Sequence, residues 1–187
     1  MSDQRVRSRE QTIAAMSGDR EAMRALWVEH RRWVAAVLLA HKPRHADVED
    51  LLQNVAVSIV RSISTIRDPD AVKGWLRTIA VNAAREAART DRLSRRHEVR
   101  EQQLLTYLSG DSGDIERRDA ASRAMRLVEA LPEDYREPLL MRAVQGMSTE
   151  LIGEILGLSP QAVHTRISRA RAMIRDQAGL EAGAFHP

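Results

Sequence analysis

A short amphipathic pattern, a glycine turn and a second, arginine-loaded pattern follow one another between Gly146 and Arg171 of this 187-residue chain. Few folds accommodate that order. Ser148 stands where a helix N-cap is needed, and Leu151, Ile152 and Ile155 form one apolar face behind it. Gly157 suits the left-handed position that ends a helix. Ser159 then caps the next helix, and Pro160 sits in its first turn, where a missing N–H does no harm. Gly153 lies inside the first pattern, where glycine costs about 1 kcal/mol against alanine, so close packing of the two helices is expected there. On the second helix Val163, Ile167, Ala170 and Ile174 recur at a spacing of four, three and four and point inward. The opposite face carries Gln161, Thr165, Ser168 and Arg169, with His164 and Arg171 on one flank and Arg166 on the other. These signals describe a helix-turn-helix whose second helix enters the DNA major groove. Arginine pairs with guanine edges and phosphates, while His164 and Thr165 are short donors near the helix N-terminus. A solvated amphipathic helix is the bland alternative, but it does not require caps, turn glycine, inward stripe and charged face to agree.

The rest of the composition points to helices. Apolar residues make up 43% of the chain and aromatics only 3%, so the core is built of Leu, Ile, Val, Ala and Met. Cysteine is absent, which excludes disulfides and thiolate metal sites. The longest apolar run, Trp33 to Ala40, is far short of a membrane span, and the charged N-terminus carries no apolar stretch of a signal peptide. A cytoplasmic protein without membrane insertion is expected. Net charge is only +3 but unevenly spread: six arginines against three acids from Arg85 to Arg100, four arginines and no acid from His164 to Arg175, and five acids against two arginines from Glu101 to Asp119. Basic patches of this kind suit phosphates, although a solvated helix face explains any single run equally.

Along the chain, Asp19 can cap a helix with Met23, Leu26, Trp27, Val34 and Val37 inward, broken at Lys42-Pro43. A second helix begins near Asp47, with Val48, Leu51, Leu52, Val55, Ile59 and Ile63 as its buried stripe and Asp50, Gln53 and Asn54 on other faces. Arg67 to Asp70 reads as a turn. A third helix runs from about Ala71 through Trp75, Leu76, Ile79 and Ala80 toward Arg96, and its register puts Trp75 in the core. Residues 97–120, small, polar and acidic around Ser109–Asp114, read as a flexible linker. Periodicity resumes at Ala124, Leu127, Val128 and Leu131. Pro132 opens a further helix with Tyr135, Leu139, Leu140 and Ala143 inward, which ends at Gly146. The expected fold is all-α: a helical domain over 10–96, a linker over 97–120, a helix-turn-helix domain over 121–176 and a short tail over 177–187.

With these blocks in place, the chain resembles the sigma-70 superfamily in its small two-domain, extracytoplasmic-function (ECF) form. Leu131-Pro132-x-x-x-Arg136-Glu137-x-Leu139-Leu140, Gly146-x-Ser148-x-x-x-Ile152-x-Glu154-Ile155-Leu156-Gly157 and Val163-x-x-Arg166-Ile167-x-Arg169-Ala170-Arg171 are similar to sigma region 4, which reads the −35 promoter element. Gly18-Asp19 and Asp47-Val48-Glu49-Asp50-Leu51-Leu52-Gln53 resemble regions 2.1 and 2.2, and Trp75-Leu76-x-x-Ile79-Ala80-x-Asn82-x-x-x-Glu86-x-x-Arg89 resembles regions 2.3 and 2.4. The resemblance implies that Asp50, Gln53 and Asn54 contact the clamp helices of the RNA polymerase β′ subunit. It implies that the helix-turn-helix domain docks on the β flap and contacts −35 DNA through Ser159, Gln161, His164, Thr165, Arg166, Ser168, Arg169 and Arg171. It further implies that the loop from Ser64 to Lys73 holds a flipped base of the −10 element, and that Asn82, Arg85, Glu86 and Arg89 line the path of the separated strand. Unpairing a base costs a few kcal/mol, so a pocket must capture it while arginines hold its phosphates. Glu86 stands where the family usually has aspartate, His164 where lysine or arginine is frequent, and the −10 loop has no aromatic. An acidic tether can mimic nucleic acid in a basic channel, or serve solubility. The resemblance also leaves room for an anti-sigma protein as a partner.

The competing reading is a helix-turn-helix regulator with a ligand-sensing or dimerisation domain. It leaves Asp50-x-x-Gln53 and the Asn82–Arg89 block without a task. Scattered histidines and the absence of a Gly-rich phosphate loop or nucleophile constellation speak against an enzyme. No cofactor is implied. His45 with Asp47, Glu49 and Asp50 is expected to be a helix-cap cluster rather than a metal site, because adjacent helix positions diverge.

Overall fold

Every described element of the computed structural model is helical, as the composition requires. It describes residues 2–44, 46–93 and 115–183. The chain divides into two compact units, Met1–Arg95 and Arg96–Pro187.

In the first unit, α2 (Arg20–His41) is the centre. Helices α1 (Ser2–Met16), α3 (Val48–Ser62) and α4 (Val72–Leu93) all pack on it. That surrounding explains the run Trp33 to Ala40, in which every residue is buried: a helix apolar on all sides belongs inside a bundle. Asp19 caps α2 by accepting the Ala22 N–H at 3.0 Å, and Asp47 caps α3 by accepting the Glu49 N–H at 2.7 Å. The stripe Val48, Leu51, Leu52, Val55, Ile59 and Ile63 is buried throughout. With Leu26, Leu38 and Leu76 it forms a core in which each fully covered leucine contributes roughly 1.5–3 kcal/mol. Two short 3-10 turns, Ile63–Thr65 and Pro69–Ala71, join α3 to α4.

Helix α1 extends well ahead of the apolar pattern that starts at Asp19. Its covered positions include Thr12 and Ala15, residues too small to write an apolar stripe into the sequence. It turns into α2 at Gly18, whose φ of 94° favours glycine. Trp75 departs from expectation. It is half-buried, as is Ile79, because the neighbouring helices cover the Leu76 and Ala80 side of α4 more fully.

In the second unit, α5 (Ile115–Glu129) begins inside the stretch expected to be linker. Residues 115–120 hold no Gly or Pro and include good helix formers. Residues 94–114, which include the small acidic segment, lie outside the described ones. Helices α6 (Glu133–Gln145), α7 (Thr149–Leu156) and α8 (Pro160–Gly183) complete the unit, with α6 against both α7 and α8, and α5 against α8. The inward arcs are displaced from the sequence reading in two places. Met125 is buried and Ala124 exposed; Glu137 to Met141 are buried, Tyr135 is half-buried and Ala143 is exposed. Which arc is covered depends on where neighbouring helices lie, and periodicity does not carry that information.

Candidate nucleic-acid and polymerase interfaces

The helix-turn-helix combines a buried apolar stripe with caps and turns set by backbone chemistry. Ser148 Oγ accepts the Leu151 N–H at 3.2 Å and so starts α7. Gly146 and Gly157 end α6 and α7 in the left-handed conformation, with φ of 65° and 67°. Arg142 donates from Nη1 to the Met147 carbonyl at 2.6 Å, tying down the first of these turns. After Gly157 the Leu158 N–H donates to the Gly153 carbonyl at 2.9 Å. A Cβ on Gly153 would fall 2.5 Å from the Leu158 carbonyl oxygen. Glycine is therefore required at 153 by the returning turn backbone, not by side chains of the second helix. Ser159 Oγ accepts the Ala162 N–H at 3.2 Å and opens α8.

On α8 the inward stripe Val163, Ile167 and Ala170 is buried, and Ile174 is half-buried. Gln161, His164, Ser168, Arg169 and Arg171 are exposed along the outer face. The remaining three candidates have polar atoms already engaged within the unit. Ser159 caps the helix, Thr165 donates its hydroxyl to the Gln161 carbonyl at 2.9 Å, and half-buried Arg166 lies 3.6 Å from Asp134 on α6. Asp134 was not singled out in the sequence, since nothing local links it to a residue 32 positions later.

In the first unit Asn82, Arg85, Glu86 and Arg89 are exposed and follow i, i+3, i+4, i+7 spacing, which places them on one face of α4. Glu86 and Arg89 are 3.5 Å apart, an exposed pair that costs little to separate. Lys73, at the start of α4, is half-buried, and its charge reaches the core: it helps hold His30 below its usual 6.5. Burial is the larger cause there, Lys73 acts in the same direction, and Glu29 opposes both. The His30 ring lies against Trp33 with centroids 5.8 Å apart.

Asp50, Gln53 and Asn54 are exposed on α3. Val57 and Val60 continue that face, 47% and 65% exposed, and Val60 lines a cleft of about 240 Å³ with Arg20, Met23, Arg24, Trp27, Ala56 and Ile59. The sequence does carry a signal for them: both valines fall outside the buried stripe, Val57 one turn and Val60 about two turns beyond Gln53 on the same face. Glu49, by contrast, is held by Arg31 Nη2 at 2.6 and 2.9 Å, and Asp47 is a cap. His45 lies outside the described residues. No group of three or more potential metal ligands occurs among the described residues, and none of their helices is long and apolar enough to cross a membrane.

Two family models match this layout: "Sigma-70 region 2" over residues 26–93 and "Sigma-70, region 4" over 122–174. RNA polymerase sigma factor CarQ of Myxococcus xanthus is 32% identical over 165 residues, covering 87% of this chain and 92% of CarQ. The chain belongs to the sigma-70 family. It is an alternative sigma factor of the ECF type, and sigma factors bind core RNA polymerase and promoter DNA. A "Probable RNA polymerase sigma factor RfaY" of Xanthomonas campestris pv. campestris is 29% identical over 179 residues; this sigma factor spans only 42% of that longer protein. Among solved structures, CnrH in complex with the cytosolic domain of CnrY superposes with a TM-score of 0.61 at 28% identity, covering 94% of this sigma factor and 97% of CnrH.

Proposed function

We propose that this sigma factor divides its work among four surfaces. The α8 face with Gln161, His164, Ser168, Arg169 and Arg171 reads the −35 element, with Ser159, Thr165 and Arg166 fixing the pose of that face and reaching nearby phosphates. The segment 64–73 together with Lys73, Asn82, Arg85, Glu86 and Arg89 captures the −10 element and guides the separated strand. Asp50, Gln53 and Asn54 grip the β′ clamp helices, and the second unit seats on the β flap. The observation that carries the reading is the exposed row on α8, which combines two arginines with short polar side chains on a helix fixed by its own turn. The protein has no catalysis of its own and acts in the bacterial cytoplasm, on the nucleoid through polymerase. An anti-sigma protein is a further partner, since CnrH was solved with the cytosolic domain of another protein.

Promoter-specific transcription with core polymerase tests the division. Arg169→Ala removes −35-dependent initiation and leaves core binding intact, while Asp50→Lys weakens core binding itself. Loss of core binding in Arg169→Ala would show that these surfaces are misassigned.

A further inference from the structure

The loop between α3 and α4 has a support outside its own sequence. Its base is anchored by Ile63 and Ile66, both buried, while Ser64, Thr65, Arg67, Asp68 and Asp70 are exposed. Each end is a closed turn. Thr65 donates its hydroxyl to the Ser62 carbonyl at 2.6 Å, and the Ile66 N–H donates to the Ile63 carbonyl at 3.1 Å. Asp68 accepts the Asp70 N–H on its carboxylate and the Ala71 N–H on its carbonyl, each at 3.0 Å. Helix α1 packs against both turns. Thr12 and Ala15 bury one side of α1, and on its flank Arg9 places Nε 3.6 Å from the Asp70 carboxylate.

We infer that α1 braces this loop and that Arg9 is a positioning residue for −10 base selection. The inference rests on the reading of residues 64–73 as the −10 reader. A loop that must present a base-sized pocket without an aromatic side chain depends on holding its backbone in one pose, because any mobility has to be lost again on binding. The turns fix each end of the loop locally. Arg9, from a helix more than 50 residues earlier in the chain, adds a weak tie that biases the second turn toward one pose against α1. The pair is exposed, with side chains 53% and 72% accessible, so its effect is on pose and not on folding.

The test uses the full chain with core polymerase on templates randomised at each −10 position. Arg9→Glu and Asp70→Arg each narrow the ratio between the best and next-best base by about two- to fivefold, the range an exposed ion pair supports. Core binding and −35 dependence stay unchanged, and the double variant Arg9→Glu/Asp70→Arg restores the profile. A double variant as impaired as the singles overturns the brace. Arg67→Ala, in the same loop, separates the two layers of argument. If it alters the −10 profile and Arg9→Glu does not, the brace fails and the loop assignment stands; if neither alters it, the loop assignment fails and takes the brace with it.

Discussion

Both units present arginines on an exposed helix face, but they hold those faces in different ways. In the second unit the face rests on a buried stripe and, in addition, on a local device: a serine cap, two left-handed glycines and a carbonyl crossing so close to Gly153 that no side chain fits. In the first unit the faces of α3 and α4 rest on burial, with the Trp33–Ala40 half of α2 covered on all sides and leucines filling the interior. The comparison teaches that a reading helix can be fixed with the help of backbone geometry over a dozen residues or chiefly by a core assembled from the whole unit. The two should fail under different substitutions.

That contrast can be broken experimentally, because all three tryptophans (Trp27, Trp33 and Trp75) lie in the first unit. Tryptophan fluorescence therefore follows that unit, while circular dichroism follows both. The largest effect is expected from Leu52→Ala, which opens a cavity in the first core and destabilises it by about 2–5 kcal/mol. It should shift the fluorescence transition. Gly153→Val should destabilise the second unit by about 1–3 kcal/mol through overpacking against the Leu158 carbonyl, moving part of the dichroism transition and leaving fluorescence in place. A fluorescence shift in Gly153→Val would mean that the two units do not melt separately and that the contrast is false. Ser148→Ala removes the α7 cap and costs about 1 kcal/mol, read in the same dichroism transition.

The smallest effect is a pH dependence of the first unit. His30 has its folded-state pKa below 6.5, so below that pH the unfolded chain binds the extra proton first. The His30 contribution to stability is fully present above 6.5 and declines as pH falls below it. Denaturation followed by tryptophan fluorescence should show the decline, and His30→Gln should flatten it. A wild-type curve unchanged between neutral pH and pH 5 would remove His30 from this account.

Much of the second unit was legible because its signals are local. Ser148, Gly157, Ser159 and the Val163–Ile167–Ala170 stripe each act within one or two turns, so spacing alone identifies them. The exposed positions of Asp50, Gln53 and Asn54 follow from the buried stripe of α3 for the same reason. The brace of α1 on the loop was not legible, since Arg9 and Asp70 share no local pattern. The engagement of Arg166 with Asp134 was hidden in the same way, and it distinguishes that arginine from Arg169 three residues later.

By itself, then, the sequence determined an all-helical chain, the position of its helix-turn-helix, and the family to which its motif blocks belong. Caps, turn glycines and the 3.6-residue period are properties of neighbouring residues and need no partner helix to be read. Only the tertiary structure decided which flank of each helix is covered: Trp75 half-exposed, Met125 inward in place of Ala124, and Glu137 buried. It also decided that Gly153 answers to a backbone oxygen and that α1 reaches the loop. Those outcomes depend on where distant segments come to lie, and the hydrophobic effect that brings them together is non-directional, so it leaves no spacing in the chain to read.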